Sequence, residues 1–138
     1  MKYLLDTCVI SELVSKQPNP KVIEFVDSLD QEDIYLSVIT VGEIAKGIEK
    51  LPRSKRKEEL LNWLGEDLLI RFEGNIISLD VRVLIRWGEL SAKLEGIGIT
   101  LPAMDALIAA TALTYNMAVV TRNENDFENT GVEVVNPW

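Results

Sequence analysis

Short apolar runs and longer amphipathic stretches alternate along the chain. The first run, Tyr3-Leu4-Leu5, has no polar position until Asp6 and predicts a central strand buried on both faces. Val9, Ile10 and Leu13 then recur at helical spacing. After the Asn19-Pro20 turn, residues 21–29 put Val22, Phe25, Val26 and Leu29 on one helical face. Residues 34–39 form a β-rich run. Strand, helix and strand at this spacing predict a βαβ unit with a parallel pair. Thr40 with Glu43 three residues later matches a capping box, so the next helix is expected to begin there, with Ile44, Ile48 and Leu51 as its stripe. Pro52 breaks the stripe, and residues 58–64 supply the second helix of a hairpin.

The second half repeats the rhythm. Residues 75–80 read as a strand ending in Asp80, and a long helix follows with Val83, Leu84, Trp87, Leu90, Ala92 and Leu94 apolar, stopped by Gly96-Ile97-Gly98. Pro102 suits a first helical position. Residues 106–113 are apolar nearly all round, which predicts a buried central helix. Residues 117–121 form another strand, 122–127 a loop, and 131–138 a last strand with period-two alternation. The pattern predicts one α/β domain over residues 1–138, with about five short, mostly parallel strands and helices on both faces.

Composition narrows the chemistry. The chain has 138 residues, no histidine and one cysteine, Cys8. Histidine triads and ordinary zinc sites are excluded. A lone cysteine makes no internal disulfide, the start has no signal-peptide pattern, and no apolar run approaches the ~20 residues of a membrane span. The expected location is cytoplasmic. The net charge is −8, unsuited to holding nucleic acid by bulk electrostatics but suited to a basic partner or a cation site. The dense basic run is Arg53, Lys55, Arg56 and Lys57, either a solvated helix entrance or a phosphate-contacting rim.

Four places concentrate acids where strands end or helices begin: Asp6, Glu43, Asp105, and Asn123 or Asp126. In a parallel sheet such ends lie on one side, so these side chains can converge. Each also has a plain role as a helix cap or a dipole partner. Asp80, in the same kind of position, is expected to be only a cap. Asp105 stands apart because it interrupts a very apolar helix, where an unpaired charge is costly. Converging carboxylates need a cation, and an all-oxygen site suits Mg²⁺ or Mn²⁺, which can activate water against a phosphodiester.

The segments LLDTCVISEL (4–13), SVITVGEIAKGI (37–48), MDALIAATAL (104–113) and VVTRNENDF (119–127), with a terminal VNPW, resemble the PIN-domain family and within it the VapC-type toxin ribonucleases of toxin–antitoxin pairs. The resemblance covers essentially the whole chain. It implies a Mg²⁺- or Mn²⁺-dependent endoribonuclease acting on single-stranded or loop RNA. Asp6 and Asp105 would be the firmest metal ligands. Glu43 would hold the ion or orient water, and Asn123 or Asp126 would complete the set. Thr7, Thr121 and Arg122 would support or line the pocket. It also implies a homodimer and a VapB-like antitoxin that places a basic side chain in the acidic site. RNA would need local positive charge, for which Lys46, Lys50, Arg53, Lys55, Arg56 and Lys57 are the candidates.

Two departures stand out: Cys8 where asparagine is common, and Asn123 where the Thr-Arg-acid pattern has an acid. Asn123 keeps open a PIN-like module that binds RNA or a partner without cutting. A haloacid-dehalogenase-like phosphatase would need an aspartate at the position of Cys8. A phosphorelay receiver would need adjacent acids at the first strand, and that pattern is not clear.

Overall fold

The computed structural model describes residues 1–138. One five-stranded sheet runs in the order β3-β2-β1-β4-β5. Its strands are β1 (Lys2–Leu5), β2 (Ile34–Ser37), β3 (Ile76–Ile77), β4 (Met117–Val120) and β5 (Val134–Val135). Every pairing is parallel, so the expectation of a mostly parallel sheet holds in its stricter form.

Successive residues of a strand face opposite sides of the sheet, and here each side has its own core. Leu5, Leu36 and Val120 point into a cluster with Val9, Ile10, Val22 and Phe72. Leu4 and Val119 point into a second cluster with Leu90, Leu94, Ile108, Ala109 and Phe127. The first layer contains α1 (Thr7–Leu13), α2 (Pro20–Asp27), α3 (Val38–Glu49) and α4 (Lys55–Asn62); a π-helical stretch, Trp63–Leu68, joins α4 to α5 (Leu69–Arg71). The second layer contains α6 (Val81–Gly96), α7 (Ala103–Tyr115) and the single turn α8 (Glu124–Phe127). Among the helices, none is long and apolar enough to cross a membrane.

Several boundaries differ from the sequence-based expectation. The helix after β2 begins at Val38, capped by the Ser37 side chain, which accepts from the Ile39 N–H at 3.0 Å. Thr40 is therefore inside α3 and fully buried, and Glu43 sits in the second turn rather than closing a capping box. The helix starting near Pro102 opens at Ala103, one residue late, which leaves Asp105 in its first turn. The strand expected over 131–138 is reduced to Val134–Val135, and at its C-terminal end Pro137 has no N–H to continue a ladder. Asp80 behaves as the cap it was expected to be, accepting from the Val83 N–H at 2.9 Å and from the Tyr115 hydroxyl.

β1 is the strand where the order reverses, with β2 on one side and β4 on the other. The crevice at the carboxyl ends beside it is the ordinary ligand position of an open parallel sheet. Asp6 and Thr121 are the residues that follow β1 and β4 there.

Candidate metal centre

Register builds the first half of the site. Leu5 pairs with Val120, and the Asp6 N–H donates to the Val120 carbonyl at 3.0 Å, so Asp6 and Thr121 emerge side by side. Asp6 is 6% exposed. Its Oδ1 accepts from the Thr7 N–H at 2.8 Å, which makes it the cap of α1. Its Oδ2 accepts from the Thr121 hydroxyl at 2.9 Å, and that hydroxyl accepts from the Asn123 N–H at 3.0 Å. Cap and candidate ligand were posed as alternatives for Asp6, and the geometry shows the cap role directly.

The other half comes from α3 and α7. The Thr7 hydroxyl donates to Glu43 Oε1 at 2.7 Å, tying the start of α1 to the middle of α3. Asp105, half-buried in the first turn of α7, has no hydrogen bond from a side chain and no ion pair. Burial pushes its carboxyl up to about 6, and the charges of Asp126, Asp6 and Glu43 push the same way, in that order. Burial also raises Asp6; hydrogen bonds from Thr121 and Thr7 oppose the shift, while Glu43 and Asp126 add to it.

These influences bring Asp6, Glu43, Asp105 and Asp126 into one electrostatic neighbourhood with no compensating base. Asp126 is exposed, and its charge acts on both Asp105 and Asp6. Asn123 stands just before α8, exposed, and makes no side-chain capping bond. Its contribution is its backbone N–H on Thr121. Cys8 lies against the same hydroxyl, with Sγ 3.4 Å from Thr121 Oγ1, and burial raises its thiol pKa.

A hard divalent cation fits this donor set: oxygen ligands only, mutual repulsion, and the Asp105 and Asp6 carboxyls raised by burial and by neighbouring acids. No three acids stand close enough here to grip one ion directly. One or two carboxylates would bind it directly and the rest through water, as suits Mg²⁺.

The basic candidates divide. Lys46 and Lys50 are exposed and line a groove of about 550 Å³ with Val38, Gly42, Glu43 and Met104. Arg53 and Lys55 are exposed at the entrance to α4. Arg56 instead donates to the Val14 carbonyl at 2.8 Å. Lys57 donates to the Glu49 and Leu51 carbonyls, both at 3.1 Å, closing the end of α3. The Arg122 guanidinium lies 4.9 Å from the Trp138 ring. The sequence reading missed this contact, the Cys8–Thr121 contact and the Ser37 cap. Of these, only Ser37 had a local signal, as a good capping residue directly after a β-rich run.

A parallel sheet with acids gathered at its switch point defines a class of metal-site α/β domains. Residues 3–133 match the PIN domain model, and the chain belongs to the PIN domain family. It is similar to Toxin FitB of Neisseria gonorrhoeae, 39% identical over 98% of this chain and 97% of the relative. It is also similar to VapC ribonuclease Y4jK of Sinorhizobium fredii, 34% identical over 98% of this chain and 96% of the relative. The crystal structure of FitAcB from Neisseria gonorrhoeae superimposes with a TM-score of 0.94 at 39% identity, covering 99% of this chain and 98% of that one. A toxin–antitoxin complex from Klebsiella pneumoniae superimposes with a TM-score of 0.73 at 25% identity, covering 99% and 98%.

Proposed function

We propose that the chain is a divalent-metal-dependent endoribonuclease and the toxin of a toxin–antitoxin pair. The observation that carries this is Asp105: a half-buried carboxyl with no base beside it, raised by burial and by Asp126, Asp6 and Glu43. Such an arrangement is unfavourable unless a cation joins it. The relatives named toxin and ribonuclease support the same reading.

Asp6 and Asp105 would hold the ion, with Glu43 and Asp126 acting directly or through water. A bound Mg²⁺ or Mn²⁺ would supply Lewis-acid stabilisation to the phosphodiester and make water more acidic. Thr121 fixes one oxygen of Asp6 and the Thr7 N–H the other, so the carboxylate cannot rotate out of the crevice. The Thr7 hydroxyl orients Glu43 with one oxygen occupied and the other free to take a proton from water. Asn123 acts through its backbone, and Asp126 is the fourth acid.

RNA would enter along the groove where Lys46 and Lys50 flank Glu43. The antitoxin would place a basic side chain among the acids, supplying the missing positive charge. A second copy is the other expected partner, and Val81 and Ile85, 74% and 58% exposed on one face of α6, offer apolar surface for it. Incubation of single-stranded and stem-loop RNA with Mg²⁺ or Mn²⁺ tests the activity. Cleavage by the parent and loss in Asp6→Asn and Asp105→Asn is the expected result. RNA binding without cleavage under any divalent metal would instead mark a PIN-like binding module.

A further inference from the structure

The terminal VNPW and the arginine after Thr121 have no part in the chemistry above, yet they meet. The Arg122 guanidinium lies over the Trp138 indole at 4.9 Å. The indole is itself fixed, because Nε1–H donates to Glu12 Oε1 at 3.1 Å. The other oxygen of Glu12 accepts from the Asn19 N–H at 3.4 Å. Glu12 thus holds the ring and makes no ion pair with the arginine.

Arg122 is exposed and takes part in none of the ion pairs in the molecule. This is unexpected for a cation one residue from Thr121, which bonds Asp6 directly. Long-range attraction alone would draw a free arginine into the acidic crevice, where it would compete with a metal ion. Stacking on Trp138 holds it at the rim with its N–H edges unspent. A planar guanidinium held in place, with free donors and no carboxylate partner, is suited to bidentate contact with a phosphate. Fixing the side chain beforehand lowers the entropy lost on binding.

We infer that Arg122 contacts an RNA phosphate at the rim of the crevice and that Trp138, anchored by Glu12, is its positioning residue. This rests on the ribonuclease reading and names a substrate contact for it. The occupant is the sugar–phosphate backbone of a single strand flanking the bond to be cut.

The test is a double-mutant cycle on Arg122→Ala and Trp138→Ala. Binding of a fluorescein-labelled single-stranded RNA is measured by anisotropy from about 50 to 200 mM salt. Arg122→Ala is expected to weaken binding about 5–10-fold and to reduce the salt slope by about 0.7, the value of one phosphate contact on a single strand. Trp138→Ala should reproduce most of that loss although the arginine remains. The double variant should be no weaker than Arg122→Ala, because both act through one contact. Trp138→Phe, which keeps a ring to stack on, should retain more binding than Trp138→Ala, and Arg122→Lys should keep the salt slope.

A stack that only secures the C-terminus would lower the melting temperature and leave the slope unchanged. That result, additive losses in the cycle, or no RNA binding by the parent overturns the inference. Cleavage by the parent, measured separately, tests the activity itself: if the parent cuts RNA while Arg122→Ala leaves affinity and slope intact, only the role of Arg122 and Trp138 falls.

Discussion

Asp105 shows how one carboxyl can be unfavourable for the fold and suited to function. Its folded pKa of about 6 lies above the ordinary 3.8. Between those values the folded chain binds a proton that the unfolded chain has released, so metal-free stability contributed by this group rises as pH falls through 6 toward 3.8. At neutral pH the ionised form is destabilising. Asp105→Asn is therefore expected to stabilise the metal-free protein at pH 7 by about 1 kcal/mol, after allowance for screening at a half-exposed site. The gain should vanish near pH 4, and denaturant melts at both pH values measure it. Thr121→Val should act oppositely, because it removes the only hydroxyl donating to buried Asp6. Catalytic rate should fall ~10–100-fold, in the range typical of groups that orient a metal ligand. The exceptional status of Asp105 was legible in sequence, since a histidine-free chain offered a buried acid few partners. The influence of Asp126 on Asp105 was not, because it depends on how the turn α8 folds after Thr121.

Among the elements, α3 separates local signals from tertiary ones. Thr40 and Glu43 have the spacing of a capping box, but Ser37 already caps the helix and carries it past Thr40. The Thr40 hydroxyl is buried with no partner. Ser37→Ala should lower stability by about 1 kcal/mol through loss of the cap. Thr40→Val should be neutral or stabilising, since it replaces an unpaired buried hydroxyl by a methyl of similar shape. Thermal melts of the two variants distinguish these positions directly. The long helices and the buried β1 and β4 were readable because their periodicity spans several residues. β3 and β5 were overread because each pairs through only two residues at a sheet edge. The π-helical stretch between α4 and α5 left no trace in the 3.6-residue apolar spacing; its Leu68 packs into the core with Phe72.

At the scale of the molecule, a net charge of −8 and the proposed RNA substrate are reconciled by geometry. The strand order puts the switch point at β1, where Asp6 follows the strand; the charges of Glu43 and Asp126 act on Asp6 and Asp105, and Lys46 and Lys50 are exposed beside Glu43. The fold class was visible in the alternation of strands and helices. What the alternation could not show was the strand order, and hence which acids share a crevice. Ligand linkage gives a direct consequence: Mn²⁺ should raise the melting temperature of the parent in a concentration-dependent way and leave Asp6→Asn and Asp105→Asn nearly unchanged. These acids are proposed to form a metal-dependent nuclease centre. Gel-resolved cleavage of single-stranded RNA by the parent, Asp105→Asn and Asp126→Asn, with Mn²⁺ and with chelator, tests it most directly. Cleavage by the parent with Mn²⁺ alone, abolished in Asp105→Asn and strongly reduced in Asp126→Asn, is the predicted result. Cleavage that persists in chelator, or that survives in Asp105→Asn at the parent's rate, would contradict it.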